Sequence, residues 1–322
     1  MKPVSLIIGA TGQDGAYLAR LLQARGHDVH GTSRAPETVS TSGLDTLGIT
    51  LPLHGLDPTS PTAVAALLHH LGPARVFNLG GQSSVGQSFA EPIATLTSIV
   101  TATATLLEAI RTAAPAVRFY NAGSSESFGD TGGVPATADT PFRPLSPYGV
   151  AKASAAMLVR SYRESYGLFA VTGHLFNHES RLRPPRFVTA KIVHAAARIA
   201  AGSKETLSLG DLSIARDWGW APEYVDAMAR MLDQPEPADH VVCTGTSMTL
   251  EAFVAYAFDH FGLDWRAHVT TDPTLARPNE LRSSRGNPDP AASALNWRAT
   301  VHTQELVKTL CEGATASLKT AS

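Results

Sequence analysis

Tyr148 and Lys152, in Ser146-Pro-Tyr-Gly-Val-Ala-Lys152, have the residue types and the spacing for proton chemistry on an alcohol. Four residues is about one helical turn, so both side chains stand on one face of a helix that Pro147 is suited to start. A phenol is a poor base at neutral pH, with a free pKa of about 10. A cation one turn away favours the phenolate, and hydride chemistry at a carbinol carbon needs such a base. Pairs of this kind also arise on ordinary amphipathic helices. The meaning of this one depends on what the rest of the chain places beside it.

Gly9-Ala-Thr11-Gly12-Gln13-Asp14-Gly15 lies between the continuous apolar run 4–8 and the helical pattern of 16–25. A buried strand, a glycine-rich turn and a helix form the context of a dinucleotide site. The glycines let the backbone approach a pyrophosphate, and the helix N-terminus supplies amide donors and a favourable dipole. A second strand at 28–32 leads to Arg34, placed to pair with a 2′-phosphate, and the first acid after it is Glu37. That favours NADP, with NAD as the alternative. Asp57 follows a third strand at 51–55 and is expected near the adenine of the cofactor. The next strand, 75–80, is expected to bring Leu79 to the cofactor site, and Gly80-Gly81 lets its end lie close to a ligand.

The elements that must hold these groups follow from periodicity. Helical patterns at 62–71 and 93–111 and a strand at 117–122 continue the alternation, which argues for an α/β fold with a doubly wound parallel sheet. From Asn177 the texture changes to an Arg- and Pro-rich loop, 178–186, then a helix at 187–201. Further helices are expected at 223–232, 250–261 and 303–318, with a strand at 240–244 and little periodicity over 272–290. The division expected is 1–176 with about 215–245 for the dinucleotide domain, and 177–214 with 246–322 for a smaller, interleaved C-terminal lobe that binds substrate.

Composition narrows the function classes. In 322 residues, 43% hydrophobic and 17% charged, the chain has an ordinary globular balance. A formal net charge of −2 gives no electrostatic footprint for nucleic acid. The first apolar run is too short for a signal-peptide core or a membrane span, so no membrane role is expected. With only Cys243 and Cys311, a reducing cytoplasm fits better than a disulfide framework. His174, His178 and Glu179 have no cysteine or carboxylate cluster to complete a metal site, so no metal is expected.

Taken together, these landmarks resemble the extended short-chain dehydrogenase/reductases, and within them the GDP-mannose 4,6-dehydratase family. The resemblance rests on the glycine turn, Asn78-Leu-Gly-Gly-Gln-Ser83, Ser124-Ser-Glu126, Ser146-Pro-Tyr-Gly149 with Lys152, and Leu175-Phe-Asn-His-Glu-Ser180. It extends to Phe187-Val-Thr189 with Lys191, Arg216-Asp-Trp-Gly219, and Arg277-Pro278 with Glu280. It implies a Rossmann-type fold and an internal redox cycle on a nucleotide sugar. Ser124, Glu126, Tyr148 and Lys152 would be catalytic. Tyr148 would take the O4 proton, Ser124 would hydrogen-bond O4, Lys152 would hold the nicotinamide ribose, and Glu126 would remove the C5 proton. Ser83, Ser125, Asn177, Val188, Lys191, Arg216, Arg277 and Glu280 would contact substrate.

Relatives pair through helices like 93–111 and 148–166, so a homodimer or homotetramer is the expectation. Arg181-Leu-Arg-Pro-Pro-Arg186 stands where the family has a Pro-Arg-Arg-Gly type of segment. The alternatives within the same fold are a 4-epimerase, a 4-reductase or a uronate decarboxylase, and outside catalysis an NADP-binding regulator.

Overall fold

The computed structural model describes residues 2–275 and 277–321. Among these, the chain forms strands β1 (Val4–Ile8), β2 (Asp28–Ser33), β3 (Leu53–Gly55), β4 (Arg75–Asn78), β5 (Arg118–Ala122) and β6 (Ala170–Leu175). Six more follow: β7 (Asn177–Glu179), β8 (Leu207–Leu209), β9 (Ala215–Trp220), β10 (His240–Val242), β11 (Ser247–Thr249) and β12 (Val269–Thr271). Seven of them make one parallel sheet in the order β10-β6-β5-β4-β1-β2-β3. β1 and β6 are apolar or small at nearly every position because helices cover both faces, which removes the usual strand alternation.

The order of the sheet decides where a ligand goes. From β1 the chain winds outward to β2 and β3, then returns past β1 to β4, so the direction of winding reverses between β1 and β4. The crevice beyond the carboxyl ends of two such strands is the binding position of an open α/β sheet. Gly9, with φ +83°, ends β1, and a Cβ there would lie 3.1 Å from Gly80, which follows β4. Glycine keeps the two strand ends close.

One face of the sheet is covered by the helices Gln13–Ala24 and Ala221–Met231, whose Leu18, Leu22, Val225 and Met228 share a core with Ile7 and Phe77. The other face carries Pro61–Leu71, Ala102–Ala113 and Pro147–Tyr166, with Leu68, Leu106, Ile110 and Val159 packed on Leu6 and Ile8. Each fully buried aliphatic side chain contributes about 1.5–3 kcal/mol relative to exposure. A separate core joins Ile192, Phe253, Phe258, Leu306 and Leu310 from the helices Val188–Ala200, Leu250–Asp259 and Thr303–Ala321.

Two small sheets, β11-β9-β7 and β12-β8, lie outside the large one. Of the stretch 215–245, Ala215–Trp220 is therefore a strand of a small sheet, whereas 221–231 and 240–242 pack on and join the large one.

Several boundaries differ from expectation. The first helix begins at Gln13, not Ala16, because glycine at the turn does not prevent helical geometry once the turn is packed. The helix expected at 93–111 is broken by a π-helical turn, Thr97–Thr101. That turn sits against the end of β4, where the Ser98 hydroxyl accepts the Gln82 N–H at 3.4 Å. The stretch Pro92–Ala113 is long and apolar enough to cross a membrane, with a mean hydropathy of 1.6, and half of it is buried inside the fold. Short helices at Ser42–Thr46, Val85–Ala90 and Asp289–Leu295 and the three-residue pairing of β12 lack the length to show in periodicity.

Candidate active site

Ser146 begins the helix that presents Tyr148 and Lys152. Its hydroxyl accepts the Gly149 N–H at 3.0 Å and Pro147 occupies the first turn, the capping the sequence announces. A Cβ at Gly149 would meet the Glu126 carbonyl oxygen at 2.6 Å, so only glycine lets this helix approach the turn after β5. That turn carries Ser124, Ser125 and Glu126. The result is one wall of a cleft: Ser124 is hydrogen-bonded to the Tyr148 phenol, and Lys152 Nζ donates to the Ala122 carbonyl at 2.7 Å.

The electrostatics of this wall correct the expectation of a lysine-stabilised phenolate. Burial raises the Tyr148 pKa to about 12, and the Glu126 charge adds to the rise; Ser124 and Arg183 oppose it. Burial lowers Lys152 to about 8. Two groups one turn apart are both desolvated, and desolvation is the largest influence on each. Burial also raises Glu126 above the ordinary carboxylate range, against the lowering charges of Arg216 and Arg277 and with a further rise from Glu280. A carboxyl tuned upward inside a cleft suits proton transfer.

The glycine turn forms the second side. The helix Gln13–Ala24 has Gly12 as its N-cap, which offers no side chain to the first-turn amides, so these are free to bind phosphate. The side chains of Gln13 and Asp14 are turned elsewhere. Gln13 Nε2 donates to the His178 carbonyl at 3.2 Å, and its Oε1 accepts from Ser180 Oγ at 2.9 Å. Asp14 Oδ2 accepts from His178 Nε2 at 2.9 Å, while His178 Nδ1 donates to the Phe176 carbonyl at 2.7 Å. Both ring nitrogens face acceptors, an arrangement that favours the doubly protonated imidazole. Burial lowers the His178 pKa, but Asp14 outweighs it and the net shift is upward; Asp14, which burial alone would raise, is held low by His178.

The third side comes from the small sheet and the loops. Asn177 opens β7, Val188 opens the helix Val188–Ala200, and Lys191 one turn later donates to the Ser208 carbonyl at 2.7 Å. Arg216 on β9 is buried and donates to Glu280 Oε1 at 2.9 Å; Arg277 donates to the same oxygen at 3.2 Å. The cleft enclosed by these walls has a volume of about 430 Å³, in the range of about 300–1,000 Å³ of ligand sites.

The sequence profile described as GDP-mannose 4,6 dehydratase matches residues 6–310. The GDP-mannose 4,6 dehydratase 2 of Arabidopsis thaliana is 39% identical over 97% of this chain and 86% of its own. The Homo sapiens GDP-mannose 4,6 dehydratase is 38% identical, covering 95% and 90%. This chain belongs to the GDP-mannose 4,6-dehydratase family. Solved structures extend the likeness to fold. The UDP-glucose 4-epimerase of Thermotoga maritima superposes with a TM-score of 0.87 at 21% identity, covering 98% and 99% of the two chains. A dTDP-glucose 4,6-dehydratase of Streptomyces venezuelae, with NAD bound, superposes with a TM-score of 0.86 at 19% identity, covering 98% of each.

Most family residues expected from sequence meet in the cleft. Asp14, Leu79, Ser83, Ser124, Ser125, Glu126, Tyr148, Lys152, Asn177, Val188, Lys191, Arg216 and Arg277 all line it. Gly9, Thr11, Gly12, Gln13 and Gly15 form the turn at its edge. Glu280 stands behind the arginines rather than in the cleft wall, its carboxylate engaged by both. Arg34 is exposed at the end of β2. Asp57 is held below the usual carboxylate range by the Thr59 N–H and hydroxyl, with Arg34 adding to the effect, so its carboxylate is committed to its own turn.

Among the cleft residues that escaped sequence reasoning are the charged or titratable His178, Arg183 and Arg186. Arg183 pairs with the buried Glu179 at 3.1 Å and lies 3.7 Å from the Phe187 ring centroid. The signal was the run of charge inside a motif block, but the partner that gives His178 its role is 164 residues away. Among the described residues no cluster of His, Cys, Asp or Glu is arranged to hold a metal ion.

Proposed function

We propose that this chain removes water from GDP-mannose to give the GDP-linked 4-keto-6-deoxy sugar, with NADP as its cofactor. The observation that carries this is the meeting of Ser124, Tyr148 and Lys152 with an upward-tuned Glu126 in one cleft, beside Lys191, Arg216 and Arg277. The glycine turn fits a dinucleotide: its Gly12 cap leaves the first-turn amides to a pyrophosphate, and the close strand ends leave no room for a side chain at Gly9. Arg34, exposed at the end of β2 where an NAD enzyme has an acid, supports NADP.

When bound, the dinucleotide supplies a hydride acceptor for C4 that gives the hydride back at C6. Ser124 bonds O4 and Tyr148 takes its proton; the Tyr148 pKa must fall from about 12 for this, and the positive charge of Lys152 favours that fall. The ketone at C4 acidifies the C5 hydrogen, which Glu126 removes as a proton. Glu126 would then give that proton to O6, which leaves as water; C5 would take up one proton as C6 regains the hydride, balancing the proton Tyr148 took from O4, so the sum is loss of one water with no net oxidation. The helix Val188–Ala200 points its N-terminus into the cleft, and with Lys191, Arg216 and Arg277 it supplies the positive field for a diphosphate.

Incubation with GDP-mannose and no added reductant is expected to yield a product lighter by one water in mass spectrometry. Glu126→Gln is expected to bind NADP and form no such product. A product of unchanged mass would mark an epimerase instead, and turnover by the variant would remove Glu126 from the role. NAD as the dinucleotide that supports turnover would overturn the cofactor assignment.

The working form is a homodimer in the cytoplasm. Ile93, Val150, Met157 and Tyr166 are exposed on the adjacent helices of Pro92–Ala113 and Pro147–Tyr166, apolar surface that a second copy would cover. Cys243 and Cys311 are buried and free, in keeping with a reducing compartment. A monomeric mass in light scattering would reject the dimer.

A further inference from the structure

Glu126 and the residues expected to bind the diphosphate are parts of one electrostatic unit. Arg216 and Arg277 line the same cleft as Glu126, and their guanidinium groups converge on a single oxygen, Glu280 Oε1, at 2.9 and 3.2 Å. Two guanidinium groups directed at one anionic oxygen are the arrangement a phosphate oxygen demands. Arg216 is buried, so its field reaches its neighbours with little screening by solvent. Tyr148, on the helix packed against the Glu126 turn, also faces Glu126, and the same cleft is lined by Asp14, Lys152, His178, Glu179, Arg183, Arg186 and Lys191.

We propose that the diphosphate of a bound nucleotide sugar arms Glu126 by neutralising Arg216 and Arg277, the two guanidinium groups that Glu280 holds together in the cleft wall. The inference rests on the functional reading above, because it takes Glu126 as the C5 base and the arginines as the diphosphate site. Its physical basis is a balance of opposing effects. Burial makes Glu126 a stronger base, and the charges of Arg216 and Arg277 restrain it. A diphosphate brings negative charge to those arginines and cancels the restraint, so Glu126 becomes more basic when the C5 hydrogen is beside it. Glu280 relieves part of the same restraint. A sugar lacking the diphosphate leaves the arginines' field in place, so the base is tuned only for a nucleotide-linked substrate.

The test is proton uptake on binding GDP, measured by titration calorimetry in buffers of different ionisation enthalpy, at a series of pH values upward from the ordinary carboxylate range. GDP's own terminal phosphate exchanges protons as well, so the quantity read is the difference between the wild type and Glu126→Gln. The wild type is expected to take up a fraction of a proton more than the variant. Glu280→Gln, with the arginines unopposed before binding, is expected to enlarge that uptake while Glu126 is intact. Equal proton balance in the wild type and Glu126→Gln, or an uptake unmoved by Glu280→Gln, would overturn the proposal. Turnover of GDP-mannose by the wild type is read in a separate assay, so failure of the coupling is distinguishable from failure of the function.

Discussion

The two walls of the cleft handle charge differently, although burial lowers the pKa of Arg216 on one as it does that of Lys152 on the other. On the wall built from β5 and the helix Pro147–Tyr166, ionisable groups are buried with few ionic partners, so desolvation dominates. Tyr148 rises to about 12, Lys152 falls to about 8 and Glu126 rises. On the wall built from β9 and the loops, the charges are paired: Arg216 and Arg277 with Glu280, and Arg183 with Glu179. Desolvation without pairing prepares a group to gain or lose a proton, whereas pairing keeps a cation charged and aimed. The first wall is therefore suited to chemistry and the second to holding an anion.

That contrast is sharpened by changing one residue on each wall. Tyr148→Phe removes the hydroxyl and keeps the ring, and is expected to lower kcat by about 10²–10⁴-fold while leaving KM for GDP-mannose nearly unchanged. Arg216→Gln leaves Glu280 half-paired in a buried wall and is expected to act mainly on KM. A cost of about 2–5 kcal/mol corresponds to a rise of about 30-fold or more. Steady-state kinetics of both variants decide it: a KM effect for Tyr148→Phe equal to that of Arg216→Gln would erase the distinction.

A smaller effect lies in pH. Lys152 is cationic below about 8 and neutral above, so NADP affinity is expected to weaken as pH rises through that value, by at most about tenfold per pH unit, one proton's worth. Lys152→Arg should flatten the dependence, because guanidinium does not titrate in this range. A wild-type affinity flat from about pH 7 to pH 9 would mean that Lys152 keeps its charge in the complex.

The parallel sheet was legible because buried strands read as continuous apolar runs and helices as amphipathic patterns, and β1 and the helix at Pro147 appear where those signals lie. Tyr148 and Lys152 were legible for the same reason: a fixed helical spacing puts them together. The pKa expectation was inverted because spacing reports which groups are neighbours and says nothing of how dry they are. Glu280 matched a motif, and that it stands behind Arg216 and Arg277 was not legible, since a motif does not tell a residue that faces the cleft from one that pairs with those that do. His178 was dismissed with the metal question because Asp14 is far from it in the chain.

The sequence alone therefore determined the fold class, the glycine turn, the helix that carries Tyr148 and Lys152, and the family. These depend on local spacing and periodicity, which the chain carries in any environment. Only the tertiary structure decided which charges oppose each other: Glu126 against Arg216 and Arg277, Glu280 behind both, Asp14 against His178. Those pairings join segments 90 or more residues apart in most cases, and their strength depends on burial, which exists only once the walls have closed.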